Sequence, residues 1–317
     1  MDVASQNKSF SLKEKLFAFV ELGRPVEWSK SLLNMFLATM IAFYVFGAQL
    51  DFFIFVLGFI AVAFLWSGLY ALNDYTDHRI DLLHEVKKKR PLPSGKLSPR
   101  QGLAFSMILI VISFLIALTL GGGLIVLCLL AMLVNQLLYT MKPFRLKSRK
   151  VFDVISGSMV NPFFRYFSGM VLFVPAGILL TTFNPILPII FVVGIQFAGY
   201  SLYRLFSKKH DKKVNMKSSV ALLPETLIKN VSYFVMAIAA LSYIGILVNG
   251  ATLKIKFLGY LPPQYLIAVV IVIAFAPLLK GAVVSPDKAD MKKSYRLIYT
   301  ANIIFVLANA LVFFLFP

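Results

Sequence analysis

Nine long apolar stretches constrain the fold of this 317-residue chain more than any other feature. The hydrocarbon core of a bilayer is about 30 Å thick, so a helix needs roughly 20 mostly apolar residues to cross it. Stretches of about that length are 31–49, 52–72, 101–119, 120–141, 151–175, 184–206, 228–249, 263–281 and 297–316. They predict an all-α integral membrane protein with about nine transmembrane helices.

The first 30 residues contain no long apolar run, so we expect no cleavable signal peptide there. Ser11 and Glu14 form a capping-box pattern, and Leu16, Phe17 and Val20 follow it. This pattern predicts a short amphipathic helix that lies on the membrane surface. We therefore expect a cytoplasmic N-terminal segment, 1–30, followed by a single transmembrane domain, 31–317.

The charge of the chain is strongly positive, with 32 Lys and Arg against 14 Asp and Glu. In a soluble protein this excess would suggest a nucleic-acid partner. Here most of the cations fall in the N-terminal segment and in alternate inter-span segments, at 73–100, 142–150, 204–217 and 280–296. Because cytoplasmic loops carry the excess of Lys and Arg, this places the N-terminus and the basic loops in the cytoplasm. We predict no nucleic-acid partner.

The acids are distributed differently. Asp74, Asp77, Asp81 and Glu85 lie within twelve residues of a chain that has only 14 acids. Spacings of three and four place Asn73 and the three aspartates along one face of a helix. Mg²⁺ prefers oxygen ligands and typically binds through one or two carboxylates plus phosphate oxygens. We predict that Mg²⁺ is held by a face composed of Asn73, Asp74, Asp77 and Asp81, with the three aspartates as catalytic residues.

A basic segment, 87–96, follows these acids directly and contains two prolines and a glycine. Pro and Gly break a helix, so the segment is predicted to be a loop that can fold over a ligand. Acids for a metal next to cations for phosphate indicate a diphosphate site. By itself, such a run of lysines would also suit an anchor on the cytoplasmic side.

The pattern NDxxDxxxD after the second apolar stretch, followed by RPxPSG, resembles the UbiA superfamily of intramembrane prenyltransferases. Further segments are similar to family patterns and occur in the same order: Tyr139, Leu146-Lys147, Asp153-Val154 and Arg165 to Gly169. The resemblance implies a UbiA-type helical bundle with a cytoplasmic active-site cavity. It also implies Mg²⁺, a polyprenyl phosphate or diphosphate lipid, and a donor that carries a diphosphate.

The second aspartate motif of the family is reduced here to Asp211, among several cations. One branch of the superfamily, which transfers phosphoribose to a polyprenyl phosphate, also lacks this motif. Two features resemble that branch: the RPxxWxK opening that ends at Lys30, and His84, Lys87 and Arg90 at three, six and nine residues after Asp81. We therefore favour transfer of 5-phosphoribosyl from phosphoribosyl diphosphate to polyprenyl phosphate. The alternative is transfer of a prenyl group from polyprenyl diphosphate to an aromatic or glycerol-phosphate-type acceptor.

The resemblance and the charge pattern together predict nine substrate or phosphate contacts. They are Lys30, His84, Lys87, Arg90, Tyr139, Lys147, Arg165, Arg204 and Lys208. Arg165 lies inside a span, where a cation is costly, so it either contacts phosphate or acceptor or pairs with Asp153 or a helix end. Trp66 is predicted to be an interface anchor. A non-catalytic transporter of anionic lipids is a hypothesis of another class, although the odd helix count argues against it.

Overall fold

The computed structural model describes residues 10–182, 184–285 and 290–316. Within these ranges the chain forms helices, and the only β-type pairing is one isolated bridge between Arg149 and Lys217. This confirms the all-α fold. The helices are α1 Leu12–Gly23, α2 Trp28–Phe46, α3 Phe52–Asp81, α4 Pro99–Thr119, α5 Gly123–Thr140, α6 Phe152–Ile155, α7 Asn161–Met170, α8 Ala176–Thr181, α9 Ile186–Arg204, α10 Lys208–Lys213, α11 Ser219–Leu222, α12 Glu225–Thr252, α13 Leu266–Val284 and α14 Met291–Leu315.

Eight helical stretches in the described part of the chain are long and apolar enough to cross a membrane. They correspond to eight of the nine predicted spans. The ninth, 151–175, is helical from Phe152 to Met170 but is interrupted by a π-helical turn at Ser156–Val160. Such turns are rare and are frequent at functional sites.

Helix α3 carries the acidic motif because it continues to Asp81, well past the predicted end at residue 72. It packs closely on α4 at Gly68, where an added Cβ would lie 2.8 Å from the Ser106 carbonyl oxygen. The Ser106 hydroxyl also donates a hydrogen bond of 2.7 Å to the Gly68 carbonyl. Small residues allow helices to approach this closely in a membrane, and the contact fixes the direction in which the end of α3 points.

Helix α1 begins with the predicted capping box, in which Ser11 and Glu14 bond to each other's backbone N–H. Its buried residues Ala18 and Leu22 pack in one cluster with Ala71 of α3 and with Leu92 and Leu97 of the basic loop, which comprises the segment 87–96 and the residues up to α4. The opposite surface of α1 is apolar and exposed, at Leu12, Leu16, Phe17 and Val20. The helix therefore holds the basic loop against α3.

The predicted orientation can be tested by labelling from the two sides of the membrane. Gln49 precedes α3 and Lys88 follows it, and both side chains are exposed. We expect an impermeant maleimide to label Gln49→Cys in intact cells, but Lys88→Cys only after the membrane is opened. The single native cysteine, Cys128, is buried, so the unsubstituted protein is the control. The reverse labelling pattern would show that the basic loops face outward.

Candidate active site

The basic loop folds back over the end of α3 and neutralises two of its acids. Asp74 and Asp81 are both only 2% exposed. One guanidinium nitrogen of Arg90 lies 3.1 Å from Asp74 Oδ1 and 3.1 Å from Asp81 Oδ2. The Lys87 ammonium lies 3.7 Å from Asp81. The structure thus brings together four of the predicted site residues in the arrangement that their spacing suggested.

A further cation reaches Asp74 from the junction between α1 and α2. Arg24 has a left-handed backbone, with φ of 49°, and its guanidinium lies 2.5 Å from Asp74 Oδ1. The same guanidinium stands 5.0 Å above the Tyr70 ring. Arg24 was not among the predicted contacts, although it begins the RPxxWxK segment that ends at Lys30.

The other half of the acidic face is paired with the segment that follows α5. Lys147 is 4% exposed, and its ammonium lies 2.7 Å from Asp77 Oδ2 and 3.1 Å from Asn73 Oδ1. Burial lowers the pKa of Lys147 to about 8, although the Asp77 carboxylate opposes the shift. Arg145, a second residue that sequence reasoning missed, lies 3.0 Å from Asp77. The four predicted metal ligands therefore form two subclusters, each with its own cations.

The oxygen-rich face of α3 fits a metal that shares its coordination with a ligand. The atoms on this face that could coordinate a metal are carboxylate and amide oxygens, which suit Mg²⁺. Within the described ranges, no three His, Cys, Asp or Glu residues form a group that could hold a metal by themselves. Mg²⁺ normally retains waters and phosphate oxygens rather than filling its shell from protein alone. The residues present thus fit a Mg²⁺ ion bound together with a phosphate, and not a closed protein cage.

His84 and His210 join the polar segments that follow α3 and α9, with their ring centres 4.5 Å apart. The Nδ1 atom of His84 accepts hydrogen bonds from the backbone N–H groups of Val86 and Lys87, at 3.1 and 3.3 Å. Burial lowers the pKa of His84 to about 4, and the nearby cations Lys87 and Arg90 act in the same direction. His84 is therefore neutral near pH 7, and it can serve a phosphate as an N–H donor but not as a cation.

Arg204 is engaged by two buried carboxylates instead of lying open to a ligand. Its guanidinium lies 2.6 Å from Asp211 and 3.8 Å from Asp153. The Ser218 hydroxyl donates to the same Asp211 oxygen at 2.6 Å, and Ser219 donates to Asp153 through its hydroxyl and its backbone N–H. The cluster links α6, α9, α10 and the start of α11. It gives Arg204 a structural role that the predicted phosphate contact did not include.

Arg165 is buried, and of its expected partners Asp153 is not the one it contacts. Its guanidinium lies 3.9 Å from the centre of the Trp66 ring and 3.5 Å from Gln196 Oε1. The Nε atom of Arg165 has no hydrogen-bond partner in the described part of the chain. Trp66 is only 4% exposed, so it is a partner of Arg165 in the bundle and not an interface anchor.

The remaining three predicted substrate contacts each have a partner in the structure. Lys30 pairs with Glu27 at 2.7 Å, Lys208 with Glu225 at 3.4 Å, and the Tyr139 hydroxyl with that of Tyr200 at 2.6 Å. None of these three partners belongs to the acidic face of α3. The structure thus gives each of the three a direct partner outside the group formed by Asp74, Asp81, Lys87 and Arg90.

Comparison with known proteins points to one family. The sequence profile of the UbiA prenyltransferase family matches residues 34–309. Protoheme IX farnesyltransferase of Bartonella henselae is 30% identical over 116 residues, which are 37% of this chain and 36% of that protein. Digeranylgeranylglyceryl phosphate synthase of Methanopyrus kandleri is 34% identical over 90 residues, which are 28% and 31% of the two chains. The match therefore spans about a third of the length of either relative.

Solved structures match over nearly the full length. A UbiA homologue from Archaeoglobus fulgidus bound to GPP and Mg²⁺ has a TM-score of 0.70 and 18% identity, with 93% of this chain and 99% of that chain covered. The apo structure of a UbiA homologue from Aeropyrum pernix K1 has a TM-score of 0.70 and 20% identity, with 91% and 98% covered. At such identities the likeness shows the fold alone.

Proposed function

Because the chain belongs to the UbiA prenyltransferase family, we propose that it is a Mg²⁺-dependent transferase of the membrane that uses a polyprenyl lipid and a diphosphate donor. One observation carries this proposal: the oxygen-rich face of α3 has a shell of five cations within 4 Å of its carboxylates. They are Arg24, Lys87, Arg90, Arg145 and Lys147. A site with both signs of charge suits a metal and a diphosphate together.

The reaction needs a diphosphate to leave and a carbon centre to be attacked. The bond between the donor carbon and the diphosphate oxygen breaks, and the diphosphate takes the electron pair. An acceptor atom then forms the new bond to the electron-deficient carbon. When bound to the α3 face, Mg²⁺ would neutralise charge on the diphosphate. Lys87 and Arg90 add electrostatic stabilisation as that charge develops, and the surrounding helices limit the access of water to the carbon.

We favour 5-phosphoribosyl transfer from phosphoribosyl diphosphate to a polyprenyl phosphate. The support comes from the second acidic segment, where the Asp211 carboxylate already accepts hydrogen bonds from Arg204 and Ser218. That carboxylate is 2% exposed, and its charge is already paired with the Arg204 guanidinium, which disfavours a second metal there. The RPxxWxK opening and the spacing of His84, Lys87 and Arg90 after Asp81 support the same branch.

A second candidate is transfer of a prenyl group from polyprenyl diphosphate to an aromatic or glycerol-phosphate-type acceptor. The names of the relatives favour it, since they include a protoheme IX farnesyltransferase, a digeranylgeranylglyceryl phosphate synthase and a 4-hydroxybenzoate octaprenyltransferase of Aliivibrio fischeri. Both candidates place the diphosphate on the same acids, so they differ in the donor carbon and in the acceptor.

The mass of the product decides between these reactions. Purified protein with Mg²⁺ is incubated with polyprenyl phosphate and phosphoribosyl diphosphate, and in parallel with polyprenyl diphosphate and a panel of acceptors. We expect a lipid-linked phosphoribose in the first reaction. A prenylated acceptor would select the second candidate. Lipid transfer across proteoliposomes without either product would favour the transporter and contradict the proposal.

A further inference from the structure

Glu27 is a carboxylate that the proposed reaction does not use, and it sits next to the acidic face of α3. Its side chain is 12% exposed. Three donors from three helices reach it: the Lys30 ammonium at 2.7 Å, the Tyr70 hydroxyl at 3.1 Å and the Tyr299 hydroxyl at 2.6 Å. Both carboxylate oxygens of Glu27 are occupied by these bonds.

The contacts leave the ammonium of Lys30 with capacity for a ligand. An ammonium has three N–H donors, and in the described part of the chain Glu27 is the acceptor that Lys30 contacts. The Lys30 side chain is 30% exposed, and its Nζ lies 5.5 Å above the Tyr299 ring. A flexible lysine loses rotamer entropy when it is fixed, so a partner that fixes it beforehand reduces the cost of binding an anion.

The same group connects to the acids of α3 through Tyr70. The hydroxyl of Tyr70 donates to Glu27, while its ring lies under the guanidinium of Arg24, which binds Asp74. Lys30 is therefore held next to the diphosphate site and on a different helix from the Asp motif.

We propose that Glu27 is a positioning residue, whose carboxylate holds the Lys30 ammonium so that it donates to the phosphate of the isoprenoid lipid. This inference rests on the proposed function, because it assumes that such a lipid is a substrate. The alternative is a purely structural role, in which Glu27 only connects α14 to α2 by accepting the hydrogen bond from Tyr299. The two roles separate because the Lys30 and Tyr299 bonds can be removed one at a time.

The test measures binding of polyprenyl phosphate to the purified protein, from the concentration that half-saturates its thermal stabilisation, with the neutral polyprenol as reference. We expect Glu27→Gln to weaken binding by about tenfold, because Gln keeps the shape of Glu but cannot hold an ammonium ionically. Lys30→Met is expected to weaken it by a similar factor, and the double variant no further than either single one. Tyr299→Phe is expected to change binding by less than about threefold.

Several outcomes would overturn the inference. Two concern the Glu27–Lys30 pair: unchanged binding in Glu27→Gln, or additive losses in the double variant. A third is a loss in Tyr299→Phe equal to that in Glu27→Gln. The fourth is equal stabilisation of the native protein by polyprenyl phosphate and by polyprenol. Failure of the proposed function would be detected in a different measurement, as full turnover by the Asp77→Asn variant. The two failures are distinguishable, because one is measured as turnover of Asp77→Asn and the other as lipid binding by Glu27→Gln.

Discussion

Replacement of Asp77 by Asn is expected to lower turnover by at least about 1,000-fold, since charge stabilisation by a bound metal contributes several kcal/mol to such reactions. Asn is almost isosteric with Asp and can still accept a hydrogen bond from Lys147. What it loses is the negative charge, which the metal requires. Asp77 is 14% exposed and Asp74 only 2%. Asp77 is therefore the better position to test, although Arg145 and Lys147 lose a charged partner there, so activity is compared at matched thermal stability.

The measurement is product formation at saturating substrates by detergent-purified protein of matched thermal stability. Glu85→Gln is the matched control, because Glu85 belongs to the same segment but is exposed and lies beyond the end of α3. We expect this control to retain activity within about twofold, as for most exposed positions. Full activity of Asp77→Asn would contradict the assignment of the α3 acids as the metal site.

Periodicity predicted the acidic face because it depends on local geometry alone. Spacings of three and four fix which side chains share a face of a helix, provided that the helix extends through them, as α3 does. The length of the apolar stretches likewise predicted nine spans, of which eight are long apolar helices in the described part of the chain. The π-helical turn at Ser156–Val160 directly precedes Asn161-Pro162, and proline disfavours a regular helix. The π-helical turn itself has no specific sequence signal.

The sequence did not predict which cation would pair with which acid in a distant segment. Thirty-two cations compete for fourteen acids, and the spacing of residues gives no preference between them. Arg24 reaches Asp74 only because α1 packs on α3 through Ala18 and Leu22. Arg165 stacks on Trp66 instead of pairing with an acid. Such contacts depend on how helices pack, which the hydrophobic pattern of each helix does not specify by itself.

Replacement of Arg204 by Met is expected to lower the free energy of unfolding by about 3–5 kcal/mol, the cost of leaving a buried charge without its partner. Asp153 and Asp211 are 0% and 2% exposed, and both would lose the guanidinium that compensates them. The residual donors, Ser218 and Ser219, are neutral. Thermal or denaturant unfolding in detergent measures the loss. The control is Lys212→Met, since Lys212 is exposed and forms no ion pair within the described residues.

The double variant Arg204→Met/Asp211→Asn separates this structural role from the phosphate contact that the sequence suggested. If Arg204 serves mainly to compensate Asp211, removal of the Asp211 charge restores about half of the lost stability, since couplings within an ion network are not additive. If Arg204 binds a substrate phosphate, the single variant keeps its stability and instead binds that substrate more weakly. Arg204→Lys is informative in the same way. It retains the charge but not the planar fork that reaches two carboxylates, so an intermediate loss of stability supports the bridging role.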